Sequence, residues 1–155
     1  MSEESVDLAV AAFREEGEWQ VSELPKAVAN DIDELIAAPR PWRSDSGVLG
    51  LVAVDEDFFV LARVQGTHVR VLLSDVTAVT EWPIASGVAD LLDVPDPDDD
   101  DDPQPAGDMD IVSDLGMSAM DLAVLCDDPE LYPEEMLTNI ATRLGFGAQF
   151  EDVVG

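Results

Sequence analysis

Cysteine and histidine are nearly absent from this sequence, which has Cys126 and His68 as its only examples. A single cysteine cannot form an internal disulfide, and this composition favours a reducing compartment. Zinc sites need three or four ligands, mostly Cys or His, so one such chain cannot assemble one from nitrogen and sulfur. His68 and Cys126 could form a nucleophile pair. The stronger interpretation is a histidine at the start of a strand and a small apolar residue that ends a helix.

Basic residues are scarce as well. Seven Lys and Arg stand against 35 Asp and Glu in 155 residues, which gives a formal net charge of -28 at pH 7. This charge repels phosphate and therefore disfavours direct binding to nucleic acids and to anionic membranes. It favours a basic protein partner, with fast and salt-sensitive association. Solubility alone is an alternative explanation, and so is adaptation to high salt, which the clustering of the acids disfavours.

Long apolar runs are missing too. The longest, Val48 to Val54, is too short to span a bilayer, and the first residues do not resemble a signal peptide. We therefore expect a cytoplasmic protein. No glycine-rich phosphate loop is present, and a calcium loop started at Asp98 fails because Pro103 replaces its glycine and Met109 its bidentate glutamate. The sequence predicts no catalytic residue, no cofactor and no metal, and hence no enzyme.

Aspartate is abundant between residues 94 and 114. Five in succession, Asp98, Asp99, Asp100, Asp101 and Asp102, lie between prolines in a stretch that contains no Lys or Arg. Each carboxylate would need a partner if it were buried, so the run predicts a solvated linker. Residues 94–114 carry a charge of -9, compared with -12 for residues 1–93 and -7 for residues 115–155. We predict a sheet domain at 1–93, a linker at 94–114 and a helical segment at 115–155.

The apolar pattern of the first part predicts two strands, a helix, three strands and a second helix. Short turns between the strands indicate antiparallel pairing. The order β-β-α-β-β-β-α is typical of an α+β fold, an antiparallel sheet with helices packed against it. The strands are expected at Leu8–Phe13, Trp19–Val21, Val48–Val54, Phe58–Val64 and 68–73, and the helices from Pro25 to Pro39 and from Ile84 to Leu92.

The last part is predicted to be helical. One helix is expected at Met117–Cys126, and a second begins at Pro133 and ends at Gly145. Two short helices cannot bury their apolar side chains alone. They must therefore dock on the sheet domain, on a second copy or on a partner.

Arg63 and Arg70 are the basic residues of the predicted meander. They alternate with apolar neighbours, which predicts that they lie on an exposed sheet face. Ion pairs with nearby acids are the favoured role, and ligand binding is the alternative.

Several blocks of sequence, taken in order, resemble a known family. They are Val10–Arg14, Asp57–Val60, Val71–Ala78, Glu81–Pro83, Pro105–Asp108, Leu131–Pro133, Glu135–Leu137 and Arg143–Gly147. With an acidic linker before Pro105, this order is similar to the actinobacterial family of tRNA adenosine deaminase-associated proteins. The resemblance implies association, largely by gene neighbourhood, with the enzyme that converts adenosine to inosine in the tRNA anticodon. It supplies no catalytic residues.

The chain itself does not have the motifs of the deaminase. A zinc deaminase needs H-x-E and P-C-x-x-C motifs for its metal and its proton-transferring glutamate. Here Val69 and Arg70 follow His68, and Cys126 has no second cysteine.

The leading hypothesis is therefore a non-catalytic accessory protein that docks on a basic partner, the tRNA adenosine deaminase, through its acidic surface. The candidate interface residues are the run Asp98–Asp102 as an electrostatic element and Phe146 and Phe150 as an apolar element. Solubility and core packing are the alternative roles of these residues. Two other classes stay open: a small-molecule-binding or enzymatic domain with a pocket between sheet and helices, and a self-assembling homodimer.

Overall fold

The computed structural model describes residues 6–15, 18–24, 47–54, 58–65, 68–76, 82–92, 105–128 and 130–154. Within these residues six strands form one antiparallel sheet. The strands are β1 (Val6–Glu15), β2 (Glu18–Glu23), β3 (Val48–Val54), β4 (Phe58–Gln65), β5 (His68–Leu73) and β6 (Ala106–Gly107). Their order across the sheet is β2-β1-β3-β4-β5-β6.

The central strands are apolar without alternation because both faces of the sheet are covered. Every residue of β3 is buried. On β4, Phe58 and Val60 contribute to one hydrophobic core, and Phe59 and Leu61 contribute to the other. Successive side chains point to opposite faces, so one strand serves both cores.

Four described helices cover the two faces. They are α1 (Pro83–Leu92), α2 (Ala119–Cys126), α3 (Pro133–Leu144) and α4 (Gly147–Val154), and a short 3-10 turn, Ser113–Leu115, precedes α2. Ile84 and Val88 of α1 belong to the first core, whereas the buried apolar residues of α2 to α4 belong to the second. None of the helices in the described ranges is long and apolar enough to cross a membrane.

The predicted α+β class with an antiparallel sheet is confirmed. The two C-terminal helices of the prediction dock on the sheet through the second core. Two elements were not predicted, β6 and α4. The helix expected from Pro25 to Pro39 and the run Asp98–Asp102 lie outside the described residues.

The second half of the segment predicted as a linker packs on the sheet from residue 105 onward. Ala106 and Gly107 pair with β5 at the sheet edge, and Ile111 and Val112 are completely buried. Gly107 has φ +123°, and a Cβ there would clash with the Val71 carbonyl oxygen, so only glycine fits. The division of the chain into sheet domain, linker and helical segment itself stays a prediction.

Candidate interaction surface

Arg63 lies on the sheet face that the C-terminal segment covers, and its side chain is only 1% exposed. The predicted exposed position is wrong. Arg63 lies on the same face of β4 as Phe59 and Leu61, and the second core covers that face. Its guanidinium donates hydrogen bonds to the Ile111 carbonyl oxygen at 2.8 Å and to the two carboxylate oxygens of Asp114 at 2.5 and 2.9 Å. The predicted ion pair is confirmed, with a buried arginine rather than an exposed one.

Arg70 lies directly opposite Arg63 in the register of β4 and β5. It is 44% exposed and pairs with Asp108 at 3.4 Å. Like charges opposite each other on a sheet repel, and two aspartates from one segment offset that repulsion. The hydrogen bond from Arg63 holds the pKa of Asp114 below its usual value. These contacts attach residues 108–114 to the sheet.

The amphipathic helix α3 is packed as its sequence predicts. It runs from Pro133 to Leu144 and is capped by Gly145, whose φ is +106°. The Phe146 N–H donates to the Ala141 carbonyl oxygen at 2.8 Å, which closes the helix end. The apolar stripe is buried against the sheet and consists of Met136, Leu137, Ile140, Ala141 and Leu144.

Phe146 and Phe150 lie in the second core and are completely buried. The ring of Phe146 is 4.7 Å from that of Trp19 and 6.5 Å from that of Phe150, measured between centroids. Their side chains are occupied by contacts within this chain, so core packing describes their role here. Neither side chain is exposed in this structure.

Helix α2 is apolar on nearly every side, but the described chain covers only part of it. The Ser118 hydroxyl caps it by accepting a hydrogen bond from the Asp121 N–H at 3.2 Å. Leu122 is buried, whereas Met120 is 77% exposed and Val124 is 68% exposed. Met120 and Val124 are one turn apart and share a face. A helix that is apolar all round is normally buried, so this exposed face is an exception.

An open groove of about 480 Å³ lies beside this face, between α2 and α3. Val124 belongs both to the exposed face and to the groove wall, so the two form one surface. Tyr132, which is 55% exposed, follows the groove residue Leu131 along the chain. We call the groove together with Met120 and Tyr132 the α2–α3 surface. Its groove is lined by apolar Met117, Val124, Leu125 and Leu131 and by charged Asp121, Asp128 and Arg143.

The α2–α3 surface is rich in negative charge. Residues 119–135 contain no base, and their acids are Asp121, Asp127, Asp128, Glu130, Glu134 and Glu135. The guanidinium of Arg143 is engaged, since it donates to Asp121 at 2.8 Å and to the Gly116 carbonyl oxygen at 3.2 Å. The other five acids form no ion pair with any residue that the structure describes. Residues 119–135 therefore combine exposed apolar side chains with acids that form no ion pair among the described residues, and one of these acids, Asp128, lines the groove.

The groups considered for catalysis and metal binding are not brought together. Burial, with a smaller effect of the Asp127 charge, raises the pKa of Cys126 to about 12, so its thiol is protonated at neutral pH. His68 is exposed, and no hydrogen bond joins it to Cys126, although both residues are described. Among the described residues, no group of three or more His, Cys, Asp or Glu could hold a metal ion. What this part of the chain offers chemically is apolar contact and negative charge.

Comparison with known proteins places the chain in a family. Residues 7–147 match the family described as Rv3753c-like tRNA adenosine deaminase-associated protein. The chain belongs to this family, and the resemblance of its sequence blocks is confirmed. Protein Rv3753c of Mycobacterium tuberculosis is 38% identical over 148 residues, which cover 94% of this chain and 86% of that protein. No solved structure matches the chain.

Proposed function

We propose that this chain is a non-catalytic, cytoplasmic accessory protein that binds the tRNA adenosine deaminase. The family description supports the identity of the partner. The observation that carries the proposal is the α2–α3 surface, where Met120 and Val124 are more than half exposed in a segment whose acids, apart from Asp121, form no ion pair with any described residue. Neighbouring exposed apolar side chains are more common at interaction sites than on the rest of a monomer surface.

The charge of the chain gives the interaction a physical basis. An enzyme that binds tRNA presents basic residues to the phosphates. A chain with a net charge of -28 is attracted to such a face, and the run Asp98–Asp102 adds to the attraction. The same attraction would let the chain compete with tRNA, shield the enzyme or stabilise it. Deamination rates measured with and without the chain distinguish competition and shielding, which lower the rate, from stabilisation, which does not.

The first experiment is an affinity purification of the tagged chain at its native level, from its own cells, at low salt. We expect the deaminase among the bound proteins, and we expect less of it as the salt concentration rises, because charge attraction is screened. The two purified proteins should then elute together at low salt. If they elute separately, the proposal is wrong.

A matched pair of charge reversals tests the location of the electrostatic contact. Asp127→Lys with Glu130→Lys changes the charge of the α2–α3 surface, and we expect it to weaken binding and its salt dependence. Glu151→Lys with Asp152→Lys makes the same change on α4, where both residues are exposed. The control should retain more affinity than the first variant. Equal losses would mean that only net charge matters.

Two alternative functions make different predictions. A small-molecule-binding or enzymatic domain needs a pocket, and the groove has a volume within the range of ligand sites, about 300–1,000 Å³. A homodimer should have twice the mass of the chain in solution. Binding of the deaminase by a monomer favours the accessory protein over both.

A further inference from the structure

The described part of the chain covers helix α2 less completely than helix α3. α3 buries its whole apolar stripe and presents polar residues to solvent. α2 carries a single charged residue, Asp121, in its eight residues, yet only Leu122 is buried. Of the four large apolar side chains that the described ranges leave more than half exposed, three lie between residues 120 and 132.

The chemistry of the surface selects the kind of partner. A partner would need apolar residues to contact Met120 and Val124. It would also need positive charge to complement the nearby acids that form no ion pair among the described residues. A nucleic acid would bring phosphates towards these carboxylates and is repelled. A second copy docked by the same face would bring the same acids together across a twofold axis, which is unfavourable. A protein segment with apolar and basic residues satisfies both requirements.

We propose that the α2–α3 surface binds an amphipathic segment of the partner protein, with apolar residues spaced one helical turn apart and Lys or Arg on either side of them. The apolar residues of the segment contact Met120 and Val124 and enter the groove, and its cations face Asp128 and Glu130. The inference rests on the proposed function for the identity of the partner, the deaminase. It goes beyond that function by naming the surface and the chemistry that it recognises.

The test compares a variant of this surface with a matched control. Met120→Gln with Val124→Gln removes the apolar anchors, and both residues are too exposed for the fold to depend on them. Leu91→Gln changes an apolar residue of α1 that is 51% exposed. With purified deaminase in a titration, we expect the first variant to lose at least about tenfold in affinity and the control less than about twofold. Equal affinities of the first variant and the unchanged chain would overturn the inference and leave the proposed function intact.

A second probe keeps the inference testable if the deaminase does not bind at all. The probe is a synthetic helix of about 15 residues with leucine on one face and lysine elsewhere, compared with a scrambled peptide of the same composition. We expect the amphipathic peptide to bind more tightly than the scrambled one and to shift the backbone amide resonances of residues 119–143. Equal binding of the two peptides, or shifts confined to other residues, would overturn the inference. So would a dimer of the unchanged chain that the Met120→Gln, Val124→Gln variant dissociates.

Discussion

The pair of Arg63 and Asp114 should be strongly coupled in the stability of this fold. Arg63 is 1% exposed, and its charge depends on Asp114 and on the Ile111 carbonyl oxygen for compensation. Asp114→Ala leaves that buried charge with less compensation. Breaking a buried pair in this way costs about 3–5 kcal/mol in the free energy of unfolding. Asp114 is itself 58% exposed, so water replaces part of the contact, and we expect a loss of about 2–3 kcal/mol.

The double variant separates coupling from simple loss of contacts. Arg63→Met keeps most of the apolar stem and removes the charge, and it costs about 1–2 kcal/mol because the Ile111 carbonyl oxygen loses a donor. Once the charge is gone, Asp114→Ala should cost little more. Urea unfolding of both single variants and the double variant therefore gives a coupling energy of about 2 kcal/mol.

The neighbouring pair of Arg70 and Asp108 is the control. It joins the same two residue types on the same sheet face, but it is longer, at 3.4 Å, and half exposed. Its coupling energy should be below about 0.5 kcal/mol. Similar coupling energies for the two pairs, or a value near zero for Arg63 and Asp114, would refute the argument that burial makes the first pair matter.

Three further predictions concern acid, backbone and thiol chemistry. Because Arg63 lowers the folded pKa of Asp114 below its unfolded value, the pair stabilises the fold above that unfolded value, about 3.9, and the stability is lost as the pH falls through the folded pKa. The difference in urea midpoint between the unchanged chain and Asp114→Asn should therefore shrink as the pH falls below about 4, and a constant difference would contradict this. Gly107→Ala should cost about 2–4 kcal/mol in thermal unfolding and Gly145→Ala about 1 kcal/mol, because only the first adds a backbone clash to an unfavourable φ; equal costs would argue against the clash. Cys126 should react with a disulfide reagent at pH 8 at least about 100-fold more slowly in the folded than in the urea-unfolded chain, and equal rates would exclude the raised pKa.

The strands and most helices could be predicted from the sequence because their signals are local. Val48–Val54 is an unbroken apolar run between polar turns, and its observed bounds agree with the prediction. α3 begins at Pro133 and is followed by Gly145, as its helix start and stop residues predict. In both elements the residues that determine the structure lie within the element or directly beside it in the sequence.

Two elements were missed because their signals are not local. β6 contains two residues, and nothing in Ala106–Gly107 alone indicates a strand. It exists because Gly107 can approach the backbone of β5 closely and because Ile111 and Val112 are buried beyond it. The aspartates before it dominate the composition and favoured the prediction of a linker. α4 was missed because it begins at Gly147, with only Phe146 between it and the Gly145 stop. At this separation a new helix is hard to distinguish from a loop.

Arg63 shows why a charged residue in a strand is ambiguous. Alternation with apolar neighbours places it on one face, but the sequence does not say whether that face is covered. The carboxylate that compensates it, Asp114, lies 51 residues further along the chain and within the predicted linker. The periodicity of β4 therefore led to the wrong prediction of an exposed face, because it could not show that the face of Arg63 is covered.

The same limit explains why the α2–α3 surface had to be found in the structure. The sequence of an amphipathic helix such as α3 indicates which side of the helix is buried. The sequence of α2 does not, because α2 is apolar on nearly every side. Once Leu122 is seen to take the inward position, Met120 and Val124 are left outward with no covering residue within the described ranges. Selection for solubility alone would favour polar residues at both positions, as the outward face of α3 has. The proposed partner, which supplies both apolar contact and positive charge, would account for apolar residues at these two positions of a strongly acidic chain.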